Sequence, residues 1–395
     1  MTAAASGAER ELRLVIIAGE ESGDRLGGAL MEALERRAGG RLRFAGVGGR
    51  AMASQGIASP FAIEELAIIG FSAIPKKLPM LLRRIREAAD LAVAARPDAL
   101  VIIDSPDFTH RVARRVRAAA PEIPIVDYVS PSVWAWRPGR ARAMRGYVDH
   151  VLALLPFEPA AHARLGGPPC TYVGHPLCEE VAALRPSAAE AERRSRDPPL
   201  VLVLPGSRTG EIARHMEIFG AAMARLAERC GPLELVLPTL PHFVERVTKE
   251  TASWAVRPRI VASEADKRAA FRAARAALAA SGTVTLELAL AGVPTVVAYR
   301  GALVTELIYH AFVRVPTIVL ANLVLGENVM PQFIQRAASP EGLAAALAPL
   351  IADTPERQRQ LAAFARLDAV MGIGSARPSE AAADVVLEVA RRGRV

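Results

Sequence analysis

Residues 12–19 read LRLVIIAG, and the fold follows from how this run is taken. It is short, apolar apart from Arg13, and closed by Gly19, so it reads as a strand covered on both faces, as in a parallel sheet. A helical pattern follows over about 24–37, and then RFAGVGG (43–49), again strand into glycine. DALVIID (98–104), PIVDYVS (124–130), HVLALLPF (150–157) and CTYVGHP (170–176) repeat the theme, with helical stretches at 75–96 and 108–120. The polar, proline-bearing residues 185–199 break the rhythm and read as a linker or domain-edge insertion. The rhythm restarts at LVLVLPGSR (200–208). It runs through LELVLPT (233–239), IVAS (260–263), AALAASGT (276–283) and PTVVAYR (294–300) to an Ala-rich helical end from 341 onward. Strands alternating with helices predict an α/β chain of two Rossmann-like, doubly wound halves in series. Ligands of such sheets bind beyond the carboxyl ends of the strands. The informative residues are therefore those just after each strand, in a cleft expected between the halves.

The composition agrees. A length of 395 residues suits two domains, each large enough to bury its own core. Apolar residues make up 51% and charged residues 23%, which excludes a disordered polyelectrolyte. Lys and Arg number 49 against 41 Asp and Glu, a formal charge of +8 that favours anionic partners. Three cysteines without CxxC spacing exclude a disulfide framework and fit a reducing compartment. The start shows no apolar signal region, and no run approaches the about 20 apolar residues of a spanning helix. A membrane contact, if any, is expected to be peripheral.

Two turns of the second half have phosphate-binding chemistry. Gly206, Ser207 and Arg208 lie between a strand and a helix, where a helix N-terminus and a guanidinium attract a diphosphate. The alternative is an ordinary strand-to-helix turn with a surface arginine. Ser281, Gly282 and Thr283 repeat the arrangement, and Glu287 follows one helical turn later, where a carboxylate can accept from ribose hydroxyls. The alternative there is a capped helix with a solvated acid. No GxxxxGK[ST] run occurs, so this is no P-loop. In the first half, AGEESGD (18–24) suits hydroxyl or sugar contacts better than a dinucleotide. Asp104 and Asp107 end another strand, and one of them can serve as a general base or simply cap the next helix. His110 nearby can orient a carboxylate or stay solvated.

Two segments join apolar and basic residues. In 128–147, Trp134 and Trp136 are followed by Arg137, Arg140, Arg142 and Arg145 with no acid between. That pattern suits single-stranded nucleic acid, a lipid phosphate, or a basic helix over a tryptophan core. In 67–89, Phe71 and Ile74 precede Lys76, Lys77, Arg83, Arg84 and Arg86, the pattern of a helix lying in a membrane interface or packed on a sheet.

Taken together, these motifs resemble the lipid-A-disaccharide synthases, a family of bacterial glycosyltransferases. The matching runs are AGEESGD, GVGG with Met52 and Gly56, EELAIIGF (64–71), IDSPDF (103–108) and YVSPSVWAWR (128–137). They continue with LPFE (155–158), YVGHPL (172–177), LPGSR with Glu211, ASGTVTLE (280–287) and ANLVLGENVMPQFIQ (321–335). They run in order over nearly the whole chain. The resemblance implies a GT-B architecture: an acceptor and membrane-facing domain over 1–180, a UDP-sugar domain over 181–369, and helices at about 370–395 that return to the first domain. It implies inverting transfer of 2,3-diacylglucosamine from UDP to the 6-hydroxyl of 2,3-diacylglucosamine 1-phosphate, with no metal and no cofactor. Carried onto the motifs, Asp107 is the base candidate and Asp104 its reserve. Arg208, Ser281, Gly282, Thr283 and Glu287 hold UDP, while Glu20, Ser22, Asn322 and Gln335 line the site. The implied place is the inner face of the cytoplasmic membrane, with Phe71, Ile74, Lys76, Lys77 and Arg83 as the lipid contact, no nucleic acid, and a homodimer left open.

The chain departs from the family's pattern in one place. Late in the nucleotide domain the family shows a run like PNLLAGREVVPELLQ. Here Ala321 replaces the proline, Glu327 and Asn328 replace the Arg-Glu pair, and Gln332 replaces a glutamate. Arg300 is the candidate substitute for the missing arginine. The competing readings are a UDP-sugar epimerase or hydrolase of the same fold, and a basic RNA-binding protein.

Overall fold

The computed structural model describes residues 11–39, 42–66, 74–301 and 315–394, with the side chains of 74–77 left aside. Two compact units divide the chain: 1–176 with 375–395, and 177–374.

The first unit holds six parallel strands: β1 (Leu12–Ala18), β2 (Leu42–Val47), β3 (Ala99–Ile103), β4 (Ile125–Tyr128), β5 (His150–Ala153) and β6 (Cys170–Tyr172). Their order is β2-β1-β3-β4-β5-β6, and Ala18 pairs with Ile103. All five residues of β3 are buried, because helices cover both faces. Alternate residues of β1 serve different layers: Val15 and Ile17 join the helices Ile74–Ala95 and Pro106–Ala119. Leu14 and Ile16 join the helices Glu21–Ala38 and Pro378–Arg392. The period of two along a strand produces this division, and each fully buried aliphatic contributes about 1.5–3 kcal/mol.

The second unit repeats the plan with β7 (Leu200–Leu204), β8 (Glu234–Pro238), β9 (Arg259–Val261), β10 (Ala276–Ala280), β11 (Thr295–Tyr299) and β12 (Gln332–Ile334). Its order is β12-β11-β10-β7-β8-β9, all parallel. Counted from β7, this is the 3-2-1-4-5-6 order of dinucleotide-binding sheets. β7 and β10 are wholly buried.

Two expectations need adjusting, and one strand went unread. Residues 185–199 are not the linker but an edge element of the second unit. They contain the helix Ala188–Arg193, with a capping box between Ser187 and Glu190. Arg194 docks the segment onto the second unit by donating to the carbonyls of Phe271, Arg272, Ala291 and Gly292. The crossover between units falls at Pro176–Leu177 instead. The three residues of β12 show no apolar run, and they pair beside β11 only because the sheet has an open edge there.

Candidate functional site

In a doubly wound sheet the natural site is where strand order reverses. In the first unit that point lies between β1 and β3. The turn after β1 carries Glu20 and Ser22, and the turn after β3 carries Asp104. The Ser22 hydroxyl lies 2.9 Å from Oε1 of Glu20 and 3.2 Å from Oδ2 of Asp104. One hydroxyl proton serves one acceptor at a time, so the serine bridges two carboxylates in alternation. The other oxygen of Asp104 accepts from the Ser105 amide at 2.7 Å.

This corner is strained and tightly closed. Asp104 and Ser105 sit at φ 51° and 46°, and Val129, at the end of β4, sits at φ 85°. Left-handed backbone is costly for a side-chain-bearing residue, above all a β-branched one, and concentrates at functional sites. Gly19 is required here: a Cβ on it would lie 2.5 Å from Cβ of Ser105. Asp24 of the same turn has a different task. It is buried, and its carboxylate accepts from the amides of Gly49, Ala51 and Met52 at 2.7–3.0 Å, so it caps the helix Arg50–Ser54 rather than meeting sugar.

The two sequence-predicted aspartates part company. Asp104 faces Ser22, whereas Asp107 is 88% exposed on the first turn of the next helix, 3.7 Å from Arg140. Under that helix, His110 is buried, with Nδ1 3.0 Å from the Tyr147 hydroxyl and Nε2 3.2 Å from the buried Asp127. His110 is thus neither solvated nor beside Asp104. Glu158, which the sequence reading left unassigned, is buried too. It accepts from Trp134 Nε1 at 3.1 Å and the Leu155 amide at 3.0 Å. Burial outweighs those donors and pushes its carboxyl up to about 7.

In the second unit the reversal lies between β7 and β10. A cavity of about 380 Å³ opens there, lined by Gly206, Ser207, Arg208, Ser281, Gly282, Thr283 and Glu287. The structure brings both predicted turns to this cavity, but they differ. At the first turn, Glu211 reaches back and accepts from the amides of Ser207 and Arg208 at 3.0 and 3.2 Å. It also pairs with the Arg208 guanidinium at 3.0 Å. Gly206, at φ 117°, exists for this carboxylate: a Cβ there would lie 2.5 Å from its Oε2. At the second turn nothing lies within 4 Å of a Cβ on Gly282. Among the described residues no acceptor takes the Gly282 or Thr283 amides. Glu287 is held by Lys267, Nζ to Oε2 2.6 Å, and Lys267 itself lines the cavity. No local motif pointed to Lys267, which sits on a different helix (Glu264–Ala273).

Asn322, Gln335 and Arg300 lie elsewhere in this unit. Asn322 is buried and staples its own loop, donating to the Met330 carbonyl at 2.9 Å and accepting from the amides of Val329 and Met330. Gln335 accepts from the Gly301 amide at 2.9 Å. Arg300 donates to the Ala338 carbonyl, and Glu327 pairs with Arg366. None of these residues lines the 380 Å³ cavity.

Phe71 lies outside the described residues, and the side chains of Ile74, Lys76 and Lys77 are not described. Arg83 is exposed and pairs with Glu87. Leu78 and Leu82, one turn apart on the same helix, are 41% and 37% exposed. No described helix is long and apolar enough to cross a membrane. Among the described residues no group of three or more His, Cys, Asp or Glu is placed to hold a metal ion. Trp134 is tied inward by Glu158 and Phe157, whereas Trp136 is exposed.

Comparison with known proteins names the whole. A family model described as lipid-A-disaccharide synthetase matches residues 14–386. The lipid-A-disaccharide synthase of Nitrobacter hamburgensis is 61% identical over 97% of this chain and 96% of its own length. That of Bradyrhizobium diazoefficiens is 58% identical over 98% of this chain and 99% of its own. Among solved structures, the UDP-GlcNAc 2-epimerase of Neisseria meningitidis bound to UDP-GlcNAc superposes with a TM-score of 0.63 at 11% identity, covering 95% of this chain and 99% of the other. MurG of Acinetobacter baumannii gives 0.56 at 17% identity, with the same two coverages. These two show the fold alone. The family model and the relatives show more: the chain belongs to the lipid-A-disaccharide synthases, hexosyltransferases of GT-B architecture in lipid A biosynthesis.

Proposed function

We propose that the chain transfers 2,3-diacylglucosamine from UDP to the 6-hydroxyl of 2,3-diacylglucosamine 1-phosphate, with inversion at the anomeric carbon. Each unit contributes one strand-end site. The second unit holds UDP: the free amides of Gly282 and Thr283 with Arg208 and Lys267 take the diphosphate, and Glu287 takes the ribose hydroxyls. The first unit supplies the base. As the acceptor oxygen attacks the anomeric carbon, a carboxylate removes its proton and the bond to UDP breaks. The charge developing on UDP meets fixed amides and cations, so it is stabilised without reorganisation. Inversion needs one base and no covalent intermediate.

Of the two aspartates, we assign the base to Asp104 and keep Asp107 as its reserve, reversing the order that the motif alone suggested. The observation that carries this choice is the reversal-point geometry: Asp104 stands against Ser22 and Glu20 on strained backbone, while Asp107 points to solvent. Glu20 and Ser22 then orient the acceptor. The test is incubation of the protein with UDP-2,3-diacylglucosamine and the lipid monosaccharide phosphate, read by mass spectrometry. The expected product is a tetra-acylated β-1,6 disaccharide 1-phosphate together with UDP. UDP released without lipid acceptor would favour a hydrolase or epimerase instead.

The substrates carry acyl chains, so the enzyme works at the inner face of the cytoplasmic membrane as a peripheral protein. Support comes from the exposed Leu78 and Leu82 beside a basic helix start. Leu78→Asp with Leu82→Asp is expected to cut sedimentation with anionic liposomes several-fold, and unchanged sedimentation would move the contact elsewhere. The reading needs one chain only; analytical ultracentrifugation would show whether a homodimer forms.

A further inference from the structure

A second cavity, about 280 Å³, lies in the first unit at the start of the helix Pro106–Ala119. Apart from Pro106, its walls are polar or charged: Asp107, His110, Arg111, Arg114, Arg137 and Arg140. Four guanidinium groups thus share one hollow with one exposed carboxylate. Other clustered arginines of this unit are matched by acids: Arg36 and Arg37 by Glu380, Arg84 by Glu65 and Glu87, Arg117 by Asp149. Here the sole ion pair among the described residues is Arg140 with Asp107, at 3.7 Å and with Asp107 88% exposed. Neither Arg111, Arg114 nor Arg137 has a carboxylate within ion-pair distance among the described residues. Like charges repel when gathered without a counter-ion, so this cluster attracts an anion from outside the chain.

The arginines are also held in place. Arg114 lies 4.6 Å above the Tyr147 ring and donates to the Tyr147 hydroxyl at 3.3 Å. The same hydroxyl is fixed from beneath by His110, which rests on Asp127. Arg137 stacks on Trp136 at 4.2 Å and adopts φ 53°, an uncommon conformation for a side-chain-bearing residue. His110 and Tyr147 are positioning residues, and pre-set guanidinium groups suit bidentate contact with a phosphate.

We infer that this arginine hollow binds a phosphomonoester, the 1-phosphate of the lipid acceptor. The inference rests on the glycosyltransferase reading and deepens it. A monoester carries close to two charges at neutral pH and offers three terminal oxygens, which matches several guanidinium groups. A phospholipid diester carries one charge, and the hollow offers no apolar wall for its chains. The hollow also begins at Pro106 and Asp107, two residues after Asp104, so an acceptor phosphate seated there keeps its sugar beside the same loop.

The test compares the full-length protein with Arg111→Gln/Arg114→Gln; both side chains are exposed, and among the described residues Arg111 makes no side-chain hydrogen bond or ion pair. Transfer is measured in neutral detergent micelles while each substrate is varied. The expected result is an acceptor KM raised about tenfold or more, with the donor KM unchanged. With an acceptor lacking the 1-phosphate, wild type and variant converge. Calorimetry with soluble glucosamine 1-phosphate shows binding to the wild type and none to the variant. Equal acceptor KM values overturn the inference. So does a variant that loses only its sedimentation with phosphatidylglycerol vesicles, since the hollow then reads lipid diesters. If the wild type forms no disaccharide, the glycosyltransferase reading fails. The hollow is then judged by calorimetry alone: glucosamine 1-phosphate bound by the wild type and not by the variant upholds it as a phosphomonoester site, and equal or absent binding ends it.

Discussion

The two reversal points sit at equivalent places in two similar sheets, yet they are built from opposite materials. Between β1 and β3 the site is made of side chains on strained backbone: Ser22 shared by Glu20 and Asp104, with φ near 50° at Asp104 and Ser105. Between β7 and β10 it is made of glycines and free amides around an open cavity. The difference matches the tasks. On the proposed reading a base must be held at one atom, so its backbone is worth straining. The diphosphate proposed for the second site is large and charged, and it would be met by space, amides and paired cations.

The sharpest way to break this contrast is Asp104→Asn. Transfer should fall about a thousandfold, the usual scale for loss of a general base, while UDP affinity measured by calorimetry stays unchanged. Asp107→Asn should cost far less; if the two effects are reversed, the base belongs to Asp107. Arg208→Ala tests the other site. UDP affinity should drop about tenfold, and unchanged affinity would remove the arginine from the diphosphate. A glycine pair then separates space from conformation. Gly282→Val should block UDP and leave stability intact, because its backbone is ordinary and its surroundings are empty. Gly206→Ala should cost about 1–3 kcal/mol in chemical denaturation, because it strains φ 117° and displaces Glu211. Equal stability losses in both variants would erase the distinction.

The smallest effect concerns pH. Burial raises the folded-state pKa of Glu158 to about 7, above its unfolded value. Below the ordinary carboxylate range both states are protonated and nothing is lost. As pH climbs toward 7 the unfolded chain ionises first, so stability falls. Thermal melting should therefore decline between about pH 5 and pH 8, and more steeply than in Glu158→Gln. Parallel curves would show that Glu158 is not the group responsible.

The sheets were legible because β1, β3, β7 and β10 are apolar runs closed by glycine or a polar turn, a local signal. β12 has only three residues and takes its place from its neighbour, so no local signal exists. The two turns at the second-unit cavity were legible for the same reason as the strands. Ser22 with Asp104 and Lys267 with Glu287 were not, since they join residues far apart in sequence that meet only through the sheet order. Glu211 and Asp24 were hidden by ambiguity: a carboxylate beside a glycine turn looks like a ligand contact until it is found bonded to its own backbone amides.

The helix Pro378–Arg392 carries a further consequence. It packs on Glu21–Ala38, where Glu380 pairs with Arg36 and Arg37, and Pro378 lies against Gly174. During synthesis the first unit therefore waits, one layer short, until the entire second unit has left the ribosome. A stop signal placed after residue 374 would strip the earliest-made half of the helix that covers Glu21–Ala38.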